Sequence, residues 1–166
     1  MTPDPQPSAR VLFVCLGNIC RSPAAEGVFR HQLAQAGLAE RVLVDSAGTG
    51  SWHVGNLPDR RMRAAAARRG ITLESRARQL EAEDLSRFDL VLTMDAENLA
   101  AVQQLARRAG PRATARIEPL VRYCRQLQAE AVPDPYYGGE QGFEHVLDLL
   151  EDACAGLLQT LQQRRS

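Results

Sequence analysis

Residues 15–22 have the sequence Cys-Leu-Gly-Asn-Ile-Cys-Arg-Ser, and they decide the fold of this chain. They follow an apolar run at residues 11–14 and precede Pro23, an order that predicts a buried strand, a tight loop and the first turn of a helix. Such a loop points several backbone N–H groups at one spot, and the helix dipole adds partial positive charge there. The sequence therefore predicts an anion-binding loop.

Cys15 and Arg21 give this predicted anion site its chemistry. The groups that stabilise a bound phosphate also stabilise a thiolate, which makes Cys15 the candidate nucleophile. Arg21 carries a planar guanidinium that can bind two phosphate oxygens at once, which a lysine ammonium cannot do. The expected phosphate-binding residues are consecutive in the chain: Leu16, Gly17, Asn18, Ile19, Cys20, Arg21 and Ser22.

Three residues of the loop have expected supporting roles. Asn18 can adopt the left-handed backbone conformation that a tight loop requires. Ser22 can hydrogen-bond the sulfur of Cys15 and can also cap the following helix, and the two roles are compatible. Cys20 could form a disulfide with an oxidised Cys15 and so protect it from irreversible oxidation. Alternatively, Cys20 is a buried loop residue without a redox role.

The nine residues at positions 15–23, in this strand–loop–helix setting, resemble the signature of the low-molecular-weight protein tyrosine phosphatases. The resemblance spans residues 11–158 and includes the segments 45–48, 77–79 and 94–95 and the string DPYYGG at 134–139. It implies an enzyme that hydrolyses phosphotyrosine in proteins through a phosphocysteine on Cys15, with Asp134 as general acid and then general base.

The resemblance also assigns supporting roles outside the loop. Ser46 would hold the side chain of Asn18, and Asp95 would hold Arg21 or its neighbours. Many relatives have a histidine two residues before the Ala-Arg pair at 77–78, where this chain has Ser75 followed by Arg76. A stabilising contact from that histidine to Asp95 is therefore not expected here.

The surroundings of Asp134 suit an acid aimed at an aryl ester. Prolines at positions 133 and 135 stiffen the loop that carries the carboxyl group. The expected substrate rim consists of Ile19, Trp52, Tyr136 and Tyr137, whose apolar and aromatic side chains suit a phenyl ring. For Trp52 and for the tyrosines, plain packing is the alternative, and by resemblance the tyrosine pair can also be phosphorylated.

Strands alternate with helices along the chain. The predicted strands occupy residues 11–14, 42–44, 89–94 and 115–120, and a long amphipathic helix ends the chain. This order predicts an α/β fold with a four-stranded parallel sheet flanked by helices on both faces, a Rossmann-like three-layer sandwich. Residues 1–9 are expected to be a flexible N-terminal arm and residues 10–166 a single phosphatase domain. Cys15, Ser46, Asp95 and Asp134 each follow a predicted strand, which places all four at one sheet edge.

Composition limits the partners of the 166-residue chain. Its formal net charge is zero, which argues against nucleic acid or an acidic membrane as a partner. Its four cysteines lack the spacing of a zinc site, so no metal or other cofactor is expected. No signal peptide or membrane-spanning run is recognisable, and the expected compartment is the reducing cytoplasm. A monomer is expected, although the sequence does not determine the oligomeric state.

Three alternative functions fit the same loop. A thioredoxin-coupled arsenate reductase would need two further cysteines at about residues 80–88, and this chain has none there. A protein-arginine phosphatase resembles this chain but carries threonine at the position of Ile19, whose apolar side chain better suits a phenyl ring. A non-catalytic phosphate-binding redox sensor would use Cys15 and Cys20 but would not need Arg21 and Asp134 together.

Overall fold

The structure, a computed structural model that describes residues 7–135 and 139–164, is built on strand β1 (Ala9–Cys15). This strand pairs in parallel with β2 (Val42–Gly48) on one side and with β3 (Leu90–Thr93) on the other. Strand β4 (Arg116–Pro119) pairs in parallel with β3, so the order is β2-β1-β3-β4. Within the described residues the sheet has four parallel strands, which confirms the predicted fold class.

Helices cover both faces of the sheet. Successive side chains of β1 point to opposite faces: Phe13 enters one core and Leu12 enters the other. The helices are α1 (Arg21–Gln35), α2 (Arg60–Ala67), α3 (Asp84–Arg87), α4 (Ala96–Ala109) and α5 (Glu140–Gln163). Residues of α1, α2 and α5 pack in the first core, and residues of α3 and α4 pack in the second. Burial on both faces explains why residues 11–14 are all apolar.

Strand β2 begins where predicted but ends later, and strand β1 extends beyond its predicted residues at both ends. Strand β2 continues to Gly48 because its last residues pair with the end of β1. Strand β1 begins at Ala9, and the N–H of Ser8 donates to the carbonyl oxygen of Arg41 at 2.7 Å. The last two residues of the expected arm are therefore attached to the sheet, whereas residues 1–6 of that arm lie outside the described residues.

The carboxyl ends of the strands bring three predicted site residues to one edge. Cys15 is the last residue of β1, Ser46 lies in β2 near its end, and Asp95 is the second residue after β3. Among residues 7–135 and 139–164, no helix has both the length and the apolar character needed to cross a membrane.

Asp134 reaches the same edge by a different route. The prediction that it follows a strand is wrong, because β4 ends at Pro119 and a 3₁₀ turn (Leu120–Tyr123) and a long loop come between them. The loop is tied to the end of β3 by a hydrogen bond of 2.7 Å from the N–H of Val132 to the carbonyl oxygen of Met94. This bond places Asp134 near the end of the sheet although no strand leads directly to it.

Candidate active site

A cavity of about 310 Å³ opens where β1 ends. Its walls come from the loop after β1, from the segment after β2 and from the loop before α5. Besides loop residues 16, 17, 19 and 20, the lining includes Cys15, Arg21, Trp52, His53 and Asp134. The structure thus brings the predicted nucleophile, guanidinium and acid together in one cavity.

The loop turns its carbonyl groups away from the cavity. The carbonyl oxygens of Cys15 and Leu16 accept hydrogen bonds from the two residues that follow β2, and that of Ile19 accepts one from the N–H of Asp59. A trans peptide places its C=O and N–H on opposite sides, so the N–H groups after these carbonyls face the inside of the loop. Helix α1, without an acidic residue in its first turn, adds the positive end of its dipole. The loop is therefore built to bind an anion.

Two backbone positions allow this tight loop to form. Asn18 has a φ of 56°, the left-handed conformation that asparagine tolerates better than most residues. Gly48 lies against the loop, where an added Cβ would be 2.8 Å from the carbonyl oxygen of Leu16. Any larger residue at position 48 would press on the loop, so glycine is required for β2 to approach it.

The Asn18 side chain connects the loop to β2 and to the sulfur. Its amide nitrogen donates to Ser22 Oγ at 2.7 Å and to Ser46 Oγ at 3.0 Å, and its oxygen accepts from the N–H of Arg78 at 3.0 Å. Ser22 Oγ in turn lies 3.0 Å from Cys15 Sγ. All four side chains of this chain of contacts are buried. Ser22 is thereby held in place to hydrogen-bond the sulfur.

The expectation that Ser22 also caps helix α1 is wrong. The helix begins at Arg21 with Cys20 at the cap position, and the side chain of Cys20 makes no capping hydrogen bond. Ser22 is the second helical residue, and its hydroxyl is used by Cys15 and Asn18 instead. The N–H groups of the first turn therefore stay available to an anion.

The guanidinium of Arg21 is buried and held from two sides. Its Nη1 donates to Asp95 Oδ2 at 2.7 Å and to the carbonyl oxygen of Val132 at 3.0 Å. Burial alone would raise the pKa of the Asp95 carboxyl. Hydrogen bonds from Asn98 and Arg21 and the charge of the guanidinium outweigh that effect, so the pKa lies below its ordinary value. Asp95 therefore stays ionised and fixes Arg21 toward the cavity.

Asp134 faces the other nitrogen of the same guanidinium. Its Oδ2 lies 4.0 Å from Arg21 Nη2, and 47% of its side chain is exposed at the cavity mouth. A carboxyl group in this place can reach an incoming ligand as well as solvent. The position suits proton transfer to or from a ligand held by the loop.

The rim residues that the structure describes are exposed or half-buried and do not pack in the core. Trp52 is 71% exposed and lines the cavity, so the alternative that it packs in the core is wrong. Ile19 is half-buried beside it. Tyr136 and Tyr137, the other two expected rim residues, lie outside the described residues. His53 also lines the cavity and was not predicted, since a single histidine in a glycine-rich segment gives no pattern in the sequence.

Position 75 lies beside a carboxylate other than Asp95. Ser75 lines a second cavity together with Glu26, a buried residue of α1. Asp95 accepts hydrogen bonds from Arg21 and Asn98, in agreement with the expectation that position 75 does not stabilise it. Sequence reasoning missed Glu26, whose position among the other residues of α1 gives no sign that it is buried.

The remaining thiols differ from a nucleophile in their surroundings. Burial, with nearby negative charge, raises the pKa of Cys20 to about 12 and that of Cys124 to about 11. Burial also raises the pKa of Cys154 well above its ordinary value. These three thiols are therefore protonated near neutral pH. In residues 7–135 and 139–164, no three His, Cys, Asp or Glu side chains lie close enough together to hold a metal ion.

Comparison with known proteins identifies the kind of enzyme that has this site. The family model described as low molecular weight phosphotyrosine protein phosphatase matches residues 10–166. The chain belongs to this family. It is 45% identical over 161 residues to the low molecular weight protein-tyrosine-phosphatase of Streptomyces coelicolor, covering 93% of this chain and 94% of that protein.

Solved structures of this phosphatase family have the same fold. The protein tyrosine phosphatase of Entamoeba histolytica, with Hepes in its active site, superposes with a TM-score of 0.89 and 41% identity, covering 96% of this chain and 100% of that one. A Drosophila arginine phosphatase superposes with a TM-score of 0.86 and 34% identity, covering 91% and 96%. The chain is thus a phosphatase of this family, whereas fold alone does not separate phosphotyrosine from phosphoarginine.

Proposed function

We propose that this phosphatase hydrolyses phosphotyrosine in proteins, with Cys15 as nucleophile, Arg21 as phosphate ligand and Asp134 as general acid and base. One observation carries the proposal: these three side chains line one cavity, and Arg21 lies between a fixed Asp95 and an accessible Asp134. The exposed indole of Trp52 and the apolar side chain of Ile19 at the mouth support an aryl ester as substrate.

In the first step the Cys15 thiolate attacks the phosphorus of the ester. The S–P bond forms as the P–O bond to the tyrosine oxygen breaks, and Asp134 gives its proton to that oxygen. The transition state of the transfer is loose and metaphosphate-like, so the rate depends mainly on donors that are positioned to stabilise the charge on the phosphoryl oxygens. Those donors are the inward N–H groups of Leu16, Gly17 and Cys20 and the Nε and Nη2 groups of Arg21, because both hydrogens of Nη1 are used by Asp95 and Val132.

In the second step water hydrolyses the phosphocysteine. Asp134, now a carboxylate, takes a proton from the water while its oxygen attacks phosphorus and the S–P bond breaks. The sulfur leaves as a thiolate, and the hydroxyl of Ser22, 3.0 Å away, stabilises the charge that returns to it. Inorganic phosphate then leaves and the enzyme is restored.

The test uses p-nitrophenyl phosphate together with phosphotyrosine, phosphoserine and phosphoarginine peptides. Cys15→Ser should lower turnover by at least about a thousandfold, because no comparable nucleophile remains, while inorganic phosphate still binds. Asp134→Ala should lower turnover of an alkyl phosphate by about 100-fold or more and that of p-nitrophenyl phosphate less, since a good leaving group hardly needs the acid. Cys124→Ser, at a half-buried thiol that does not line the cavity, is the matched control.

Several results would contradict the proposal. Full turnover by Cys15→Ser, or a trapped phosphoenzyme on another residue, would exclude Cys15 as the nucleophile. Equal losses on both esters in Asp134→Ala would exclude Asp134 as the acid. Faster hydrolysis of the phosphoarginine peptide than of the phosphotyrosine peptide would change the substrate class but not the mechanism.

The remaining functional assignments are also proposals. Residues 10–166 act as a single phosphatase domain, and the enzyme works as a monomer in the cytoplasm on tyrosine-phosphorylated proteins, with no nucleic acid or membrane partner. The zero net charge of the chain supports the absence of an acidic polymer as partner. Size-exclusion chromatography with light scattering tests the oligomeric state.

A further inference from the structure

Glu26 of α1 is a buried carboxylate that the proposed reaction does not use. Its side chain is only 7% exposed, in a contact with Arg30 at 3.0 Å. The hydroxyl of Ser46 donates to Glu26 Oε1 at 2.6 Å. The same Ser46 oxygen accepts the amide of Asn18, so Glu26 extends the hydrogen-bond network of the active-site sulfur.

The donors and acceptors of this network can be arranged in one direction. The N–H of Arg78 donates to the Asn18 side-chain oxygen, so the amide group of Asn18 must point its NH₂ at the two serines. An ionised carboxylate only accepts, so Ser46 must give its single proton to Glu26. Ser22, whose oxygen already accepts from Asn18, can then give its proton to the sulfur of Cys15 at 3.0 Å. The sulfur lies closer than the other acceptor of this hydroxyl, the carbonyl oxygen of Ala47 at 3.5 Å.

We propose that Glu26 is a positioning residue for Cys15: its carboxylate takes the proton of Ser46, so that the Ser46 oxygen stays an acceptor for the Asn18 amide, and Asn18 in turn holds Ser22 beside the thiolate. The role rests on Cys15 being the nucleophile of the proposed function. Glu26 does not touch the substrate site: it acts through three side chains, each buried and each held at 3.0 Å or less from the next.

Glu26 lines a cavity that shares none of its described lining residues with the active-site cavity. This second cavity, of about 550 Å³, separates α1 from residues 72–76. The charged groups around it are Arg30 from α1, Asp45 from β2, and Glu74 and Arg76 from the segment 72–76. Glu26 can therefore exchange its proton with solvent without opening the active site.

A contribution to folding stability does not explain why an ionised glutamate occupies position 26. Burial raises the pKa of Glu26, and the hydrogen bond from Ser46 and the charge of Arg30 only partly offset this. A raised carboxyl pKa means that the folded state holds the proton more tightly than the unfolded state, so this group contributes less stability as the pH rises through its folded pKa. A neutral glutamine can turn either its oxygen or its NH₂ toward Ser46, whereas an ionised carboxylate only accepts and so fixes the direction of the Ser46 hydrogen bond. We therefore expect the charge to serve the sulfur rather than the fold.

The experiment measures how fast iodoacetamide alkylates Cys15 as a function of pH, with the modified peptide identified by mass spectrometry. The thiolate sulfur forms the S–C bond and iodide leaves, so the rate reports the sulfur alone. Cys20, whose pKa is raised to about 12, stays protonated and reacts slowly. Glu26→Gln should lower the alkylation rate and kcat about tenfold, the value of one hydrogen bond to a charged group, with little change in KM. The wild type should also show an additional protonation step on the acid side that Glu26→Gln lacks.

Stability and a matched variant separate positioning from folding. Glu26→Gln should unfold at the same temperature as the wild type or at a higher one at neutral pH, because it no longer buries a charge. Glu40→Gln, at an exposed glutamate after α1, should match the wild type in every measurement. Ser46→Ala breaks the same network one step later and should reproduce the slower alkylation, and the double variant should be no slower than either single one.

Three outcomes would overturn the proposal. One is an unchanged alkylation rate in Glu26→Gln, and another is a rate that falls only in proportion to lost stability, with the acid-side step retained. If Glu26→Gln does not fold, an unchanged rate in Ser46→Ala overturns it equally. Because alkylation needs no substrate, a chain that failed to hydrolyse phosphotyrosine would refute the proposed function while leaving this test of Glu26 intact.

Discussion

Replacing Asp95 by asparagine should remove the charge that holds Arg21 while keeping the cap of helix α4. Asp95 uses one oxygen to cap the helix, accepting from the N–H of Asn98 at 2.9 Å, and the other to accept from Arg21 Nη1 at 2.7 Å. Asparagine caps a helix as well as aspartate does. If the side-chain oxygen of the new asparagine keeps the cap, its NH₂ group faces the guanidinium of Arg21. Both groups are hydrogen-bond donors, so the hydrogen bond to Arg21 is lost.

The size of the effect follows from the geometry of this contact. A hydrogen bond to a charged group contributes about 1.5–3 kcal/mol, and the 27% exposure of the Asp95 side chain favours the lower end, about 1.5 kcal/mol. In a domain of this size that loss lowers the melting temperature by roughly 3–6 °C. The affinity for inorganic phosphate should fall about tenfold, because the guanidinium loses its main positional restraint.

The pH dependence of this difference has a definite sign. The pKa of Asp95 is lower in the folded protein than in the unfolded chain, so its stabilisation is present above the unfolded value and is lost as the pH falls through the folded value. The gap in stability between wild type and Asp95→Asn should therefore narrow as the pH drops below about 4.

Thermal unfolding across pH and competitive inhibition by phosphate of p-nitrophenyl phosphate hydrolysis provide the two measurements. Asp95→Ala, which loses the cap as well as the charge, should be destabilised by about 1 kcal/mol more than Asp95→Asn. The reasoning is refuted if Asp95→Asn melts and binds phosphate like the wild type. The hydrogen bond to the carbonyl oxygen of Val132 would then be sufficient to hold Arg21 in place.

Two further predictions concern packing and redox chemistry. Gly156→Ala should lower the free energy of unfolding in urea by about 3 kcal/mol, because the added Cβ would be 1.8 Å from the carbonyl oxygen of Tyr123. Gly142→Ala on the same helix, where the nearest atom to the added Cβ is 3.7 Å away, should lower it little. Equal losses in the two variants would contradict this prediction. Peroxide should oxidise the Cys15 thiolate to a sulfenic acid, which Cys20 converts to a disulfide with release of water. Because the pKa of Cys20 is raised to about 12, this second step should accelerate as the pH rises, and peptide mapping without that disulfide would exclude it.

The sequence predicted the centre of the molecule because its signals are local. The apolar residues 11–14 and the loop 15–22 adjoin each other, so pattern and spacing predict the strand, the turn and the start of α1. The left-handed conformation open to Asn18 follows from its residue type and its place in a tight loop. The parallel sheet follows from alternation of strands and helices along the chain.

Other features depend on contacts that the sequence does not contain. Ser22 had two possible partners, and only the buried position of the Cys15 sulfur decides between the cap and the sulfur. Whether Trp52 lines the cavity or packs in the core depends on the path of the segment after β2, which the sequence does not show. Glu26 has no local signal, because its burial results from the packing of α1 against β2 and residues 72–76. Asp134 reaches the cavity through an irregular loop that follows no strand.

The contacts of Arg21 have a consequence for how the enzyme is made. The two groups that hold its guanidinium, Asp95 and the carbonyl of Val132, lie 74 and 111 residues further along the chain. The signature loop is translated before both of these groups, so its guanidinium is not restrained until β3 and the distant loop have been translated and folded. A nascent chain should therefore remain catalytically silent until the loop that contains Val132 has been translated, and truncation before that loop should leave an inert product rather than an unregulated enzyme.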